Sequence, residues 1–179
     1  MENTLLIGDH ILAQRFPRPK PMPGDMIVFI YPIDRHQTFI KRVIGVPGDR
    51  IRISKKVVYR NGVELSEPYA IHKNDYPDSY QDKFPSEPEA DAVVDAAREM
   101  LKNNVVNGEV VVPKGKYFVL GDNRDNSFDS RYWGFISSSD VIGKPLLIYD
   151  SVDQTTEDVT NGKQAGPHRR RWGRLFKFI

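Results

Sequence analysis

Asn61-Gly62 stands between two short β-prone runs, Val57-Val58-Tyr59-Arg60 and Val63-Glu64-Leu65. A two-residue hairpin turn needs positive φ at both of its positions, and Asn-Gly meets that demand most readily. The pair therefore commits this stretch to an antiparallel hairpin. Pro23-Gly24-Asp25 and Pro47-Gly48-Asp49 punctuate the preceding chain in the same way. They separate His10 to Phe16, a short mixed run, from Met26 to Tyr31, which is continuous and apolar, and Thr38 to Val46 from Arg50 to Ser54. Strands resume at Glu109 to Val112, Tyr117 to Leu120 and Val141 to Tyr149. Many short strands with Pro/Gly turns predict a mainly-β domain, a folded sheet or β-barrel.

Between the two β regions, Ser66 to Pro85 is polar and reads as an extended surface excursion. One helix follows, over about 87–103. Ser86 and Glu89 form a capping-box pair, Pro88 is tolerated in a first turn, and Ala90, Val93, Val94, Ala97, Met100 and Leu101 recur at helical spacing. The plain reading of this helix is packing. The expected organisation is a β domain formed by 1–65 and 109–150, an insertion over 66–108, a flexible linker over 151–168 with almost nothing apolar between Asp153 and His168, and a basic-aromatic segment over 169–179.

Composition closes several routes. The chain of 179 residues contains no cysteine, which excludes disulfides, thiolate metal sites and cysteine nucleophiles. Basic and acidic residues number 26 and 24, too balanced to argue for nucleic acid. His10, His36, His72 and His168 are scattered and suggest no shared site, and nothing implies a metal or cofactor. No apolar run approaches the length of a membrane span. The chain is expected to be soluble, or a piece whose anchor lies elsewhere.

Residues 121–134, Gly-Asp-Asn-Arg-Asp-Asn-Ser-Phe-Asp-Ser-Arg-Tyr-Trp-Gly, concentrate acids, amides, hydroxyls and arginines in one run. This composition suits a structured loop after the strand ending at Leu120. A calcium loop beginning at Asp125 would need glycine at 130 and glutamate at 136, where Ser130 and Ile136 stand. Two readings remain open. In one, Asp and Asn side chains satisfy their own backbone and arginines pair with aspartates. In the other, the buried polar groups orient a reactive group elsewhere.

Lys41 lies in Phe39-Ile40-Lys41-Arg42-Val43-Ile44, where period-two alternation places Phe39, Lys41 and Val43 on one face. Most strand lysines are solvated or snorkel. A lysine between apolar neighbours is desolvated, which lowers its pKa and allows the neutral amine to act as a general base, as in serine–lysine variants of the catalytic triad.

Three segments, in order, resemble type I signal peptidases of bacteria. Pro23-Gly24-Asp25-Met26-Ile27-Val28-Phe29 resembles a strand beside the substrate pocket. Phe39 to Asp49 resembles the segment carrying the general-base lysine, which falls on Lys41. Residues 121–134 resemble the most diagnostic segment almost letter for letter. The resemblance covers about residues 1–150 and the C-terminus. It implies that Ser127 orients Lys41 and that Asp129 and Arg131 form a supporting ion pair. It implies a small-residue-preferring pocket lined by Met1, Leu5, Ile11, Val28, Phe39 and Ile40. It implies preprotein signal peptides as substrates, a membrane surface as partner and no nucleic acid. It also implies an anchored native protein with this domain on the periplasmic side of the cytoplasmic membrane.

The N-terminus departs from that pattern. Met1 to Asp9 fits the family's Ser-Met…Thr-Leu…Gly-Asp segment from the methionine onward, with Asn3 where proline is common. The nucleophilic serine is therefore expected immediately before Met1, together with a second serine that helps form the oxyanion hole. The polypeptide as given is expected to be inactive. Two other functions compete: a self-cleaving repressor-type serine–lysine protease, which would lack the 121–134 segment, and a non-catalytic binding domain that kept the fold. Arg171-Trp172-Gly173-Arg174-Leu175-Phe176-Lys177-Phe178-Ile179 suits either an anionic lipid interface or a last strand pairing back onto the domain.

Overall fold

In the computed structural model, which describes residues 1, 4–15, 20–74, 80–86, 88, 93–153 and 169–179, Asn61 and Gly62 both have positive φ, at 55° and 79°. They join β5 (Val57–Arg60) to β6 (Val63–Glu64) in register, Arg60 opposite Val63. The earlier strands are β1 (Asp9–Gln14), β2 (Met26–Ile30), β3 (Thr38–Gly45) and β4 (Arg50–Ser54). A second Asn-Gly pair, Asn107-Gly108, makes the same kind of turn at φ 53° and 75°. It links β7 (Val105–Val106) to β8 (Glu109–Val111), a hairpin not anticipated from the sequence. Then follow β9 (Lys116–Leu120), β10 (Ile136–Ser137), β11 (Val141–Ser151) and β12 (Lys177–Phe178).

These strands form two antiparallel sheets. One runs β1-β11-β2-β3-β9-β10, with β12 added to β11; the other runs β6-β5-β4-β8-β7. The fold is mainly β, as expected. β3 and β9 act as a wall between two apolar cores. Val43 and Val119 point to one side, with Ile27, Phe29, Tyr31 and Trp133. Ile44, Phe118 and Leu120 point to the other, with Ile51, Val58, Phe84 and Val110. A strand buried on both faces reads as a continuous apolar run, which explains Val43-Ile44 and Phe118-Val119-Leu120.

The helix α1 is Asp95–Asn104, not 87–103. Its N-cap is Val94, in extended conformation with no side-chain cap, so Ser86 does not start it; Glu87 and 89–92 lie outside the described residues. Val94 instead donates its N–H to Tyr132 O at 3.0 Å, and this tie to a second short helix, α2 (Ser130–Trp133), sets where α1 begins. Ala97 and Met100 are buried against the second sheet's core, with Leu101 at its edge. Most of the expected linker, 154–168, lies outside the described residues. The C-terminal segment pairs with β11, Phe178 opposite Leu147.

Candidate active site

Lys41 sits mid-way along β3, directly opposite Ile27 of β2. Directly paired residues share a sheet face, so Lys41 shares its face with Phe39 and Val43. Its amine donates to Ser127 Oγ at 2.8 Å. Burial lowers the lysine's pKa from its ordinary value; Asp129 opposes that shift, Arg131 adds to it, and Asp122 opposes it. The amine thus loses its proton more readily here than a solvated lysine does.

The loop after β9 places Ser127. Gly121 opens it, and a Cβ there would lie 2.1 Å from Ser127 Oγ and 3.4 Å from Lys41 Nζ. The missing side chain is the space in which the serine and the lysine meet. Asp129 is the N-cap of α2 and accepts from Arg131 N at 3.2 Å. The guanidinium of Arg131 clasps the same carboxylate through Nε at 2.9 Å and Nη2 at 2.8 Å. Both side chains are almost wholly buried, at 0% and 2% exposure. Burial raises the Asp129 pKa, but Arg131, Lys41 and the Gly121 amide together outweigh it and leave the carboxyl below its ordinary value. A buried pair of this kind is kept charged by two-point hydrogen bonding.

The loop is held from outside by residues between Lys56 and Tyr80. Glu67 takes both terminal nitrogens of Arg124, at 2.8 and 2.6 Å. Arg124 donates from Nε to Gly121 O, and its own carbonyl accepts from Arg131 Nη2 at 2.7 Å. Ile71 N donates to Asp122 O, and Arg124 N to Ile71 O. Tyr80 Oη donates to Arg131 O. Asp125 is engaged by Lys56, His72 and the Asn74 amide. The loop thus satisfies its own polar groups, and Ser127 within it also meets the Lys41 amine.

Asp122 ties three segments together. It accepts from Arg42 Nε at 2.8 Å and Nη2 at 2.7 Å, and from Thr4 Oγ1 at 2.6 Å. Arg42 also lies 3.8 Å above the Tyr69 ring, and the Tyr69 hydroxyl, bonded to Glu67, has its pKa pushed up to about 12 by burial and that carboxylate. Thr4 belongs to an N-terminal turn in which Thr4 N and Leu5 N donate to Met1 O.

The structure thus gathers Lys41, Ser127, Asp129 and Arg131 into one cluster. The six pocket candidates are divided. Val28 and Ile40 are paired on the opposite face of β2 and β3 from Lys41. Ile11 is opposite Ile148 on β1, and Met1 and Leu5 share the N-terminal turn. Phe39 is half-buried against the first core, stacked on Tyr31 at 4.5 Å and edge-on to Phe29. An open groove of about 710 Å³ lies elsewhere, lined by Pro21, Met22, Val46, Pro47 and Tyr117 among others, and contains none of the six. Thr4, Arg42, Asp122, Glu67 and Arg124 were not singled out from the sequence. Asp122 and Arg124 lie within the 121–134 segment but gave no hint of their partners, Arg42 and Glu67 are isolated charges, and Thr4 is a lone hydroxyl near the N-terminus.

The family model described as "Signal peptidase, peptidase S26" matches residues 1–149. The chain belongs to the signal peptidase I family. Signal peptidase I of Aquifex aeolicus is 35% identical over 185 residues, covering 84% of this chain and 72% of that protein. Signal peptidase I of Pseudomonas aeruginosa is 32% identical over 196 residues, covering 93% and 67%. The solved signal peptidase I of Enterococcus faecalis is 35% identical with a TM-score of 0.50, over 70% of this chain and 97% of that one. Among the described residues of this signal peptidase family member, no helix is long and apolar enough to cross a membrane.

Proposed function

We propose that this chain is the catalytic domain of a serine endopeptidase that removes N-terminal signal peptides from translocated preproteins. The observation that carries this reading is the Lys41 amine, desolvated on β3 and bonded to Ser127 Oγ at 2.8 Å beside the Asp129–Arg131 pair. In the proposed mechanism neutral Lys41 takes the proton of a serine hydroxyl as that oxygen attacks the scissile carbonyl. The resulting ammonium then protonates the leaving amine. Ser127 orients the amine, and Asp129 with Arg131 stiffens the loop that carries Ser127.

The attacking hydroxyl is assigned to a serine immediately N-terminal to Met1. The N-terminal turn supports this, because Thr4 fastens it to Asp122, next to Gly121, whose Cα faces Ser127 and Lys41. A second reading makes Ser127 itself the nucleophile, on the strength of the same 2.8 Å contact. Burial argues against it: Ser127 is 7% exposed, with its Oγ packed over Gly121. Substrate is proposed to add as an extended strand, its small residues received by Met1, Leu5, Ile11, Val28 and Ile40, with Phe39 backing them from the first core. The domain is proposed to work on the periplasmic side of an anchoring membrane. A non-catalytic binding domain is the remaining alternative.

Adding Ser before Met1 separates these readings. Cleavage of a preprotein only by the serine-extended protein, with Ser127→Ala lowering but not abolishing it, supports the assignment. Cleavage by residues 1–179 alone, lost in Ser127→Ala, would establish Ser127 as the nucleophile. No cleavage by either, nor by the protein in its full length, would favour the binding domain.

A further inference from the structure

The N-terminal turn that would present the nucleophile is gripped from two sides, and only one of them is the active-site loop. Asp9, whose side chain is 2% exposed, lies at the end of the turn. Its carboxylate accepts from Leu6 N at 2.8 Å, Ser151 Oγ at 2.7 Å and Arg174 Nε at 3.0 Å, and also from Arg174 Nη2. Arg174 Nη2 further donates to Thr4 O at 3.1 Å, and Arg171 Nη2 donates to Ile7 O. Arg171 Nε reaches Ser151 Oγ at 2.8 Å. Two arginines from the far end of the chain thus hold the turn at Thr4, Ile7 and Asp9. The same Thr4 reaches Asp122 through its hydroxyl.

The arginines are themselves fixed. Arg171 N donates to Ser151 O, Phe176 N to Ile148 O and Ile179 N to Leu146 O, so the segment lies along β11. A bridge between Val152 and Arg170 extends the contact. The turn is pressed against this seam at Gly8, where a Cβ would lie 2.1 Å from Val152 O and 3.2 Å from Arg171 Nη2. By contrast, residues 4–8 belong to no named strand. Besides the backbone bond from Val152 N to Gly8 O, their side-chain and carbonyl anchors are Asp122 at one end and the C-terminal arginines at the other.

We infer that Arg171 and Arg174 are positioning residues for the peptidase reaction: they clamp the N-terminal turn so that the residue preceding Met1 is held at the Lys41 amine. The inference rests on the assignment of the nucleophile made above. Its physical basis is the steep dependence of rate on alignment, since a misplacement of ~1 Å can cost ~100-fold. Exposed ion pairs would contribute little, but Arg174 is 15% exposed against a buried carboxylate. Three anchoring points on one turn fix its direction as well as its place.

The test uses the full-length, serine-bearing protein and a preprotein in detergent micelles. Arg171→Ala with Arg174→Ala is expected to lower kcat of the folded protein about 10–100-fold, with KM within about threefold. Because it leaves the buried Asp9 carboxylate without its arginine, a lower melting temperature is expected as well, and rates are compared well below it. The rising limb of the pH profile should stay in place, because Lys41 is untouched. Arg174→Lys should recover part of the rate, since one ammonium cannot serve both Asp9 and Thr4 O as a planar fork does. Asp9→Asn should lower kcat alike, and combining it with the arginine variants should be less than additive. Native kcat in the double variant, or a loss that merely follows unfolding in all of these variants, would overturn the clamp. Lys41→Ala is the control for the underlying reading. If it still cleaves, the site assignment fails; if it is dead while the clamp variants are fully active, only the clamp fails.

Discussion

Gly121 is required for what it lacks. A methyl group there would sit 2.1 Å from Ser127 Oγ and 2.7 Å from its Cβ. Gly121→Ala should push Ser127 off Lys41, lower activity at least ~10-fold and cost about 1–3 kcal/mol of stability, read by preprotein cleavage and urea unfolding. Asp129→Asn removes the charge opposite a buried guanidinium and should cost ~3–5 kcal/mol. Because the folded-state pKa of Asp129 is depressed, its contribution is present above the ordinary carboxylate range and is lost as pH falls through the folded value. Unfolding curves of the native and Asp129→Asn proteins should therefore converge in acid. At this scale the desolvation of Lys41 was legible, because Phe39 and Val43 flank it on one strand face, while its proposed role came from the family resemblance. Asp122 was not, because its partners Arg42 and Thr4 are 80 and 118 residues away and only the fold joins them.

The two Asn-Gly turns show what short-range chemistry can specify. Asn61-Gly62 was read correctly from its flanking β-prone runs. Asn107-Gly108 carries the same signal, but the polar end of α1 and only two residues of β7 precede it, so no alternating run drew notice. Gly62→Val and Gly108→Val should each cost about 1–2 kcal/mol, since both glycines hold positive φ with open space around them. Thermal melts would measure this, and peptidase activity of the folded fraction should be unchanged. The start of α1 was misplaced for the opposite reason: periodicity extends back to Ala90, whereas the helix begins only after Val94 is tied to Tyr132. The C-terminal segment was left between a lipid interface and a final strand. β12 settles its pairing, and its arginines prove to be bound to Asp9, Ser151 and the N-terminal turn, contacts for which local sequence has no signature.

Across the whole molecule, the β3–β9 wall explains how a lysine comes to be half-buried beside a hydroxyl. One face of the wall packs on Trp133 and Phe29, and the other on the second sheet. Lys41 emerges at the edge of the first core, where the loop after β9 supplies one hydroxyl and one buried ion pair. Because burial lowers the lysine's folded-state pKa, the folded protein binds fewer protons than the unfolded chain between that value and the ordinary 10.5. Stability conferred on the neutral form therefore rises with pH across that window, and so should the fraction of enzyme with a competent base. The most direct test of Lys41 as general base is the pH dependence of preprotein cleavage by the serine-bearing protein and its Lys41→Met variant. The native enzyme should gain rate as Lys41 loses its proton. The variant should keep a melting temperature no lower than native and lose activity by a factor of ~100 or more at every pH. A folded Lys41→Met protein that cleaves at near-native rate with the same pH profile would contradict the account.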